Sequence, residues 1–197
     1  MTDADRAPET IDTSVGLGPT KGFTLPRDVE VTIVPAGHRT TLPAGDRVTL
    51  LQALGGTATV TTRAGEMARL SKADSIDFGF IDAAAAPAAL ADAPFSVDRV
   101  WEAATTVYDP EIPVDIVELG LVYRVDASQM ASGNWRVEVD MSVTAPFCGM
   151  GDILRQDLHD AVAALNGVED VEVKLVFDPP WDASRLSDVA RLELGMM

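Results

Sequence analysis

The chain has 197 residues, 47% of them apolar, with three Trp and six Phe, which is enough for one large domain or two small ones and excludes an overall disordered protein. Its formal net charge is -16, unevenly spread: residues 1–95 carry 8 Lys and Arg against 12 Asp and Glu, and residues 96–197 carry 7 against 19. Phosphate contacts need clustered Lys and Arg, so nucleic acid is excluded as a partner and an anionic membrane surface with it.

Residues 1–22 are polar, carry Gly16, Gly18, Pro19 and Gly22, and show no sustained periodicity, so they are expected to be a disordered lead-in. The first residues, Met1 to Glu9, lack the basic-then-apolar order of a secretory signal. With a single thiol in the chain, this predicts a reducing, cytoplasmic location.

From residue 23 to 82 short β-like runs alternate with turn residues. Val29 to Val34 and Arg47 to Leu51 are two such runs, and Gly55-Gly56 before Thr57 to Thr62 reads as a hairpin turn. The pattern predicts a small all-β domain with no competing helix signal. Residues 83–95 then break it: alanines interrupted by Pro87 and Pro94, with little large apolar surface, read as a linker.

Residues 96–197 form the second predicted domain. Ser96 is an expected N-cap, and Val97, Val100, Trp101, Ala104 and Val107 recur at helical spacing until Asp109-Pro110. A loop leads to a strand over Leu119 to Val125. Ala131 to Asn134 mark a turn, and Trp135, Val137, Val139, Met141 and Val143 alternate with Arg136, Glu138, Asp140 and Ser142 as a half-buried strand. Ile153, Leu154, Leu158, Ala161, Val162 and Leu165 make one face of a helix stopped by Asn166-Gly167. Val171 to Phe177 alternate as a third strand, and Ser187 to Leu194 form a short last helix. The fold class is therefore α+β: a C-terminal two-layer α/β sandwich, α-β-β-α-β-α with a three-stranded sheet, preceded by a small all-β domain.

Cys148 is the only cysteine, set between the strand that ends near Thr144 and the helix that starts near Asp152. It cannot form an internal disulfide. A thiol there can be a nucleophile, a metal ligand or a packed apolar residue. The amides of a helix start favour a thiolate, whereas Asp152 and the acidic surroundings oppose one. Gly149 and Gly151 free the backbone for close approach. The stretch is not a phosphate loop, since the Lys-Ser/Thr of that motif is missing. His38 and His159 are the only candidate bases for a thiol enzyme, one in the other domain and one about two helical turns away. One cysteine and two histidines do not make a structural zinc site, and Asp109, Glu111, Asp115 and Glu118 lack calcium-loop spacing. A lone sulfur also cannot hold an iron-sulfur cluster permanently; two chains could each give one, or the sulfur could act during a handover.

The run Tyr108-Asp109-Pro110-Glu111-Ile112-Pro113 through Leu119-Gly120-Leu121, then Met141 to Thr144 with Cys148, then Val173 to Phe177 and Pro179-Pro180-Trp181, resembles the SufT branch of the iron-sulfur cluster assembly proteins. That family shares its domain with the eukaryotic cytosolic iron-sulfur targeting factors and PaaD. Gly149-Met150-Gly151, the ending Ala190 to Met196, and Gln52 to Gly56 in the first domain resemble that branch in particular. The resemblance implies a non-enzymatic role in maturing iron-sulfur proteins, with Cys148 as a transient cluster ligand or client contact in a homodimer. Its implied partners are the assembly machinery and apo client proteins. Asp109, Glu111, Thr144, Gly149, Gly151 and Trp181 fall on the other motif positions. A structural reading stands beside this one: Asp109 stops a helix, Thr144 bonds the turn and Trp181 lids the sheet. The alternative function is a metal-free adaptor that recruits clients through its acidic surface.

Overall fold

The computed structural model describes residues 22–82, 93–145 and 149–196. The expected lead-in, apart from Gly22, and most of the expected linker lie outside the described residues.

The first part is a six-stranded antiparallel sheet of β1 (Gly22–Thr24), β2 (Val29–Val34), β3 (Arg39–Leu42), β4 (Arg47–Leu54), β5 (Thr57–Thr61) and β6 (Met67–Leu70), in the order β1-β4-β5-β6-β2-β3. The β4–β5 hairpin turns at Gly55 and Gly56, with φ of 60° and 78°. Two successive left-handed residues are what a tight hairpin needs to match strand twist. One face buries Val29, Val31, Ile33, Val48, Val60 and Leu70 against Phe78 and Phe80.

This sheet ends in a helix that apolar periodicity did not signal, α1 (Lys72–Asp77). Its start is chemical rather than periodic. The Ser71 hydroxyl accepts from the Asp74 amide at 3.1 Å, and Ser75, fully buried, accepts the Ala58 amide at 2.9 Å, which fastens the helix to β5.

The second part has helices α2 (Val97–Ala104), α3 (Gly151–Ala163) and α4 (Asp188–Glu193) with strands β7 (Val122–Gln129), β8 (Trp135–Met141) and β9 (Val168–Leu175). The sheet order is β7-β8-β9, β7 antiparallel and β9 parallel to β8. The parallel pair requires a crossover, and α3 supplies it. Val137, Val139, Met141, Leu154, Leu158 and Val162 fill the core between sheet and helices. On the open face Arg124 pairs with Asp140, and Arg136 with Glu172. All but Asp140 keep about two-fifths of their side-chain surface, and such pairs add solubility more than stability.

Several predicted boundaries move: β8 ends at Met141 rather than Val143, and β9 runs Val168–Leu175 rather than Val171 to Phe177; two further shifts have a visible cause. Ser96 caps α2 as expected, accepting from the Arg99 amide, but the helix stops at Ala104 rather than at Asp109. The hydroxyls of Thr105 and Thr106 donate to the carbonyls of Glu102 and Ala103 at 2.8 and 2.7 Å, which competes with continued helix. The strand expected from Leu119 begins at Val122, because Gly120 takes a left-handed φ of 65° and turns the chain first. No helix among the described residues is long and apolar enough to cross a membrane.

Candidate functional site

The loop from Tyr108 to Leu121 is built by its own carboxylates. Asp109 is 8% exposed, and its Oδ1 accepts from the amides of Glu111 and Ile112 at 2.8 and 3.1 Å. Asp115 repeats the device with the amides of Val117 and Glu118 at 2.9 and 3.0 Å. Each carboxylate thus mimics a backbone turn. Burial pushes both aspartates above the ordinary carboxylate range, and the amides that bond them pull back. Glu111, at the surface, is also raised, by partial burial and then by the charge of Asp109.

The loop is pinned from the far end of the chain. Trp181 donates its indole N–H to the carbonyl of Leu119 at 2.8 Å. The Ser187 hydroxyl bonds the Glu118 carboxylate, and the Ser187 amide bonds the Glu118 carbonyl at 3.0 Å. Gly120 lies against the backbone of Arg185, where a Cβ would sit 2.3 Å from the carbonyl oxygen.

Beyond β8, Ser142, Val143 and Thr144 meet Phe177, Pro180 and Trp181 around a cleft of about 30 Å³. That is room for one water-sized group. Phe177 is half exposed at its rim. The cleft lies at the carboxyl ends of the parallel strands, where open α/β sheets place their ligand crevices. The chain then runs through Cys148, which with Pro146 and Phe147 lies outside the described residues, and re-emerges at Gly149. Met150, 1% exposed, precedes α3 without giving it a side-chain cap. Gly151 packs on the strand ends: a Cβ there would lie 3.2 Å from Val143 Cγ1 and 3.4 Å from Leu175 Cδ1.

Thr144 and Trp181 therefore share one cleft, and Gly151 touches its wall through Val143. Asp109 and Glu111 belong to the neighbouring loop that Trp181 anchors. Among the described residues no three His, Cys, Asp or Glu side chains converge on a common point. His159 bonds Asp160 at 3.1 Å on the outer side of α3, and His38 is exposed in the β2–β3 turn.

Sequence reasoning missed a seam between the two parts of the chain. Arg69 of β6 pairs with Asp157 of α3, Gln52 of β4 donates to the Asp109 carbonyl at 2.9 Å, and the backbone at Ala36-Gly37 meets Gly149. Of these residues the sequence signalled only Gly149, as a glycine that frees the backbone for close approach; nothing pointed to Ala36-Gly37 as what it meets.

The family described as iron-sulfur cluster assembly protein matches residues 97–175. The chain is similar to the Fe-S protein maturation auxiliary factor of Porphyromonas gingivalis, 44% identical over 92 residues, which are 47% of this chain and 84% of that protein. It is 35% identical to the Fe-S protein maturation auxiliary factor YitW of Bacillus subtilis over 99 residues, 50% of this chain and 93% of the relative. It is 36% identical to the Fe-S protein maturation auxiliary factor SufT of Staphylococcus aureus over 90 residues, 46% of this chain and 98% of the relative. Each of these relatives is about the size of the α/β part alone, and the family match begins after the six-stranded sheet has ended.

Proposed function

Because the chain belongs to the iron-sulfur cluster assembly protein family, we propose that it is a maturation factor for iron-sulfur proteins, acting in cluster assembly or in transfer to client proteins. The observation that carries this reading is its 44% identity to a maturation auxiliary factor over 84% of that protein. The cluster is cargo. Cys148 serves as a transient ligand or as the residue that contacts the client, and the protein works without turning over a substrate.

The sequence places one thiol between β8 and α3, four residues after Thr144. A single sulfur suits a handover rather than permanent residence. On binding iron the thiol gives up its proton. On transfer a client cysteinate forms its iron–sulfur bond as the bond to Cys148 breaks, Cys148 recovers a proton, and no electron is gained or lost. Two copies in a dimer would supply two sulfurs, with assembly proteins and apo clients providing the remaining ligands in the cytoplasm.

The acidity of residues 96–197, 7 basic against 19 acidic side chains, supports a second reading in which the protein recruits clients and touches no metal. Anaerobic incubation with iron and sulfide, followed by capture of apo clients, separates the two. The maturation reading expects cluster absorbance or client capture that Cys148→Ser removes. Client capture that survives Cys148→Ser, with no iron bound at any stage, supports the adaptor instead.

A further inference from the structure

The described residues expose seven large hydrophobic side chains, and four of them, Val189, Leu192, Leu194 and Met196, fall within residues 189–196. Val189 and Leu192 keep 59% and 65% of their surface on α4, whose inner residue, Ala190, is fully buried in the core. At 3.6 residues per turn the two project to one side of the helix, away from Ala190. Leu194 and Met196 continue the apolar exposure past the helix end. There Gly195 turns the chain with a φ of 65°, and the Met196 amide donates back to the Arg191 carbonyl at 2.8 Å. The family match ends at Leu175, so this surface lies in the part of the chain beyond it.

The charges beside this stripe fit a second copy of the same helix. By helical spacing Asp188 and Arg191 lie on one flank of it and Glu193 on the other. Within the chain Arg191 approaches Asp188 only to 3.7 Å, and Asp188 keeps 91% of its side-chain surface. When two copies of α4 pack antiparallel about a two-fold axis, each flank borders its own counterpart. Centred between Val189 and Leu192, that pairing sets each Val189 against Leu192 of the second copy. It also brings Asp188 to within about 3 Å in level of Arg191 of the second copy, whereas the two Glu193 carboxylates stand about 7 Å apart in level. Other faces offer a second copy less. The open sheet face carries three cations and five carboxylates already paired among themselves, and two such acidic faces repel. On α3, Asp157 is taken by Arg69.

We propose that α4 and the turn after it form the contact between two copies of this chain, an antiparallel pair with Val189 and Leu192 at its centre and Asp188 facing Arg191 of the second copy on one flank. The contact is small. A stable interface takes about 800 Å² from each partner, more than four part-exposed side chains provide, so the pair dissociates at about 10–100 µM. This gives the dimer of the maturation reading its place, and it rests on that reading for the use of the pair but not for its formation, which needs no iron.

The test is sedimentation equilibrium of the full-length protein under reductant, without added iron or sulfide, from about 5 to about 500 µM. The mean mass should rise from near that of one chain toward that of two across this range. Leu192→Glu places a carboxylate at the centre of the pair and should weaken it by about thirtyfold or more, leaving mostly single chains throughout. Leu192 already meets solvent, so the fold should survive, which far-UV circular dichroism checks; Val189→Lys gives the same reading from an independent position. Arg191→Asp should weaken the pair by about three- to tenfold, and adding Asp188→Arg should restore it. Single chains at every concentration, a dimer that Leu192→Glu and Val189→Lys leave intact, or a charge swap that restores nothing would overturn the proposal. A pair that appears only when iron and sulfide are added would overturn it too while the maturation reading stands, and failure of that reading would leave an iron-free pair unaffected.

Discussion

Trp181 donates its indole N–H to the carbonyl of Leu119, 2.8 Å away and 62 residues earlier in the chain. Through this bond the segment after β9 closes the loop that begins at Asp109. Leu119 is fully buried, so no water replaces the donor when it is lost. Trp181→Phe keeps most of the apolar contact and strands the carbonyl. The expected loss is about 1–2 kcal/mol in urea unfolding, with the far-UV circular dichroism spectrum unchanged.

Gly120 and Gly133 separate backbone strain from packing. Both have positive φ, 65° and 88°, but a Cβ on Gly120 meets the Arg185 carbonyl at 2.3 Å and one on Gly133 meets nothing within 4 Å. Gly133→Ala should cost about 1 kcal/mol, the left-handed penalty alone. Gly120→Ala should cost more than about 2 kcal/mol, because the clash adds to that penalty. Equal losses in thermal or chemical unfolding would show that the Arg185 contact yields without cost.

Ser187 caps α4, its hydroxyl accepting from the Ala190 amide at 3.0 Å and bonding the Glu118 carboxylate. Ser187→Ala should lower stability by about 1 kcal/mol. Ser187→Asp, which is an equally good cap in isolation, should do no better here, because a second carboxylate would face Glu118. A stabilising Ser187→Asp would contradict the geometry.

Acid should at first stabilise the protein. Asp109, Asp115 and Asp157 have folded-state values raised by burial, Arg69 opposing the rise at Asp157. Between their ordinary and raised values the folded chain holds protons that the unfolded chain has released, so stability falls as pH rises through that interval. The charge of -16 adds self-repulsion of the same sign. Glu169, Glu172 and Asp182 act the other way, their values lowered mainly by side-chain hydrogen bonds, and their contribution is lost as pH falls below the ordinary range. The urea midpoint should be higher at about pH 5 than at about pH 7.5, and should drop below about pH 4.

What the sequence disclosed was local. The alternation from Trp135 to Met141 names the buried face, and Val137, Val139 and Met141 are 0–1% exposed. The cap at Ser96, the short helix from Ser187 and the Gly55-Gly56 turn were also legible, since each depends on residues within a few positions. The helix at Lys72 was not, because Ser71 and Ser75 hold it through hydroxyl bonds and it has no apolar stripe. The contacts of Arg69 with Asp157 and of Gly37 with Gly149 span 88 and 112 positions, and no pattern in either segment announces its partner. For the site, the sequence supplied the motif residues. The structure supplied their grouping, Thr144 and Trp181 about one cleft with Asp109 in the loop beside it.

The most direct measurement replaces the gene with one encoding Cys148→Ser and follows the activity and iron content of iron-sulfur enzymes in the cell, with the variant's abundance checked alongside. If the protein hands clusters to clients through this sulfur, those enzymes should lose activity and iron together while enzymes without clusters keep theirs. Full activity and full iron in the Cys148→Ser cells, set against a deficit in cells lacking the protein altogether, would contradict it.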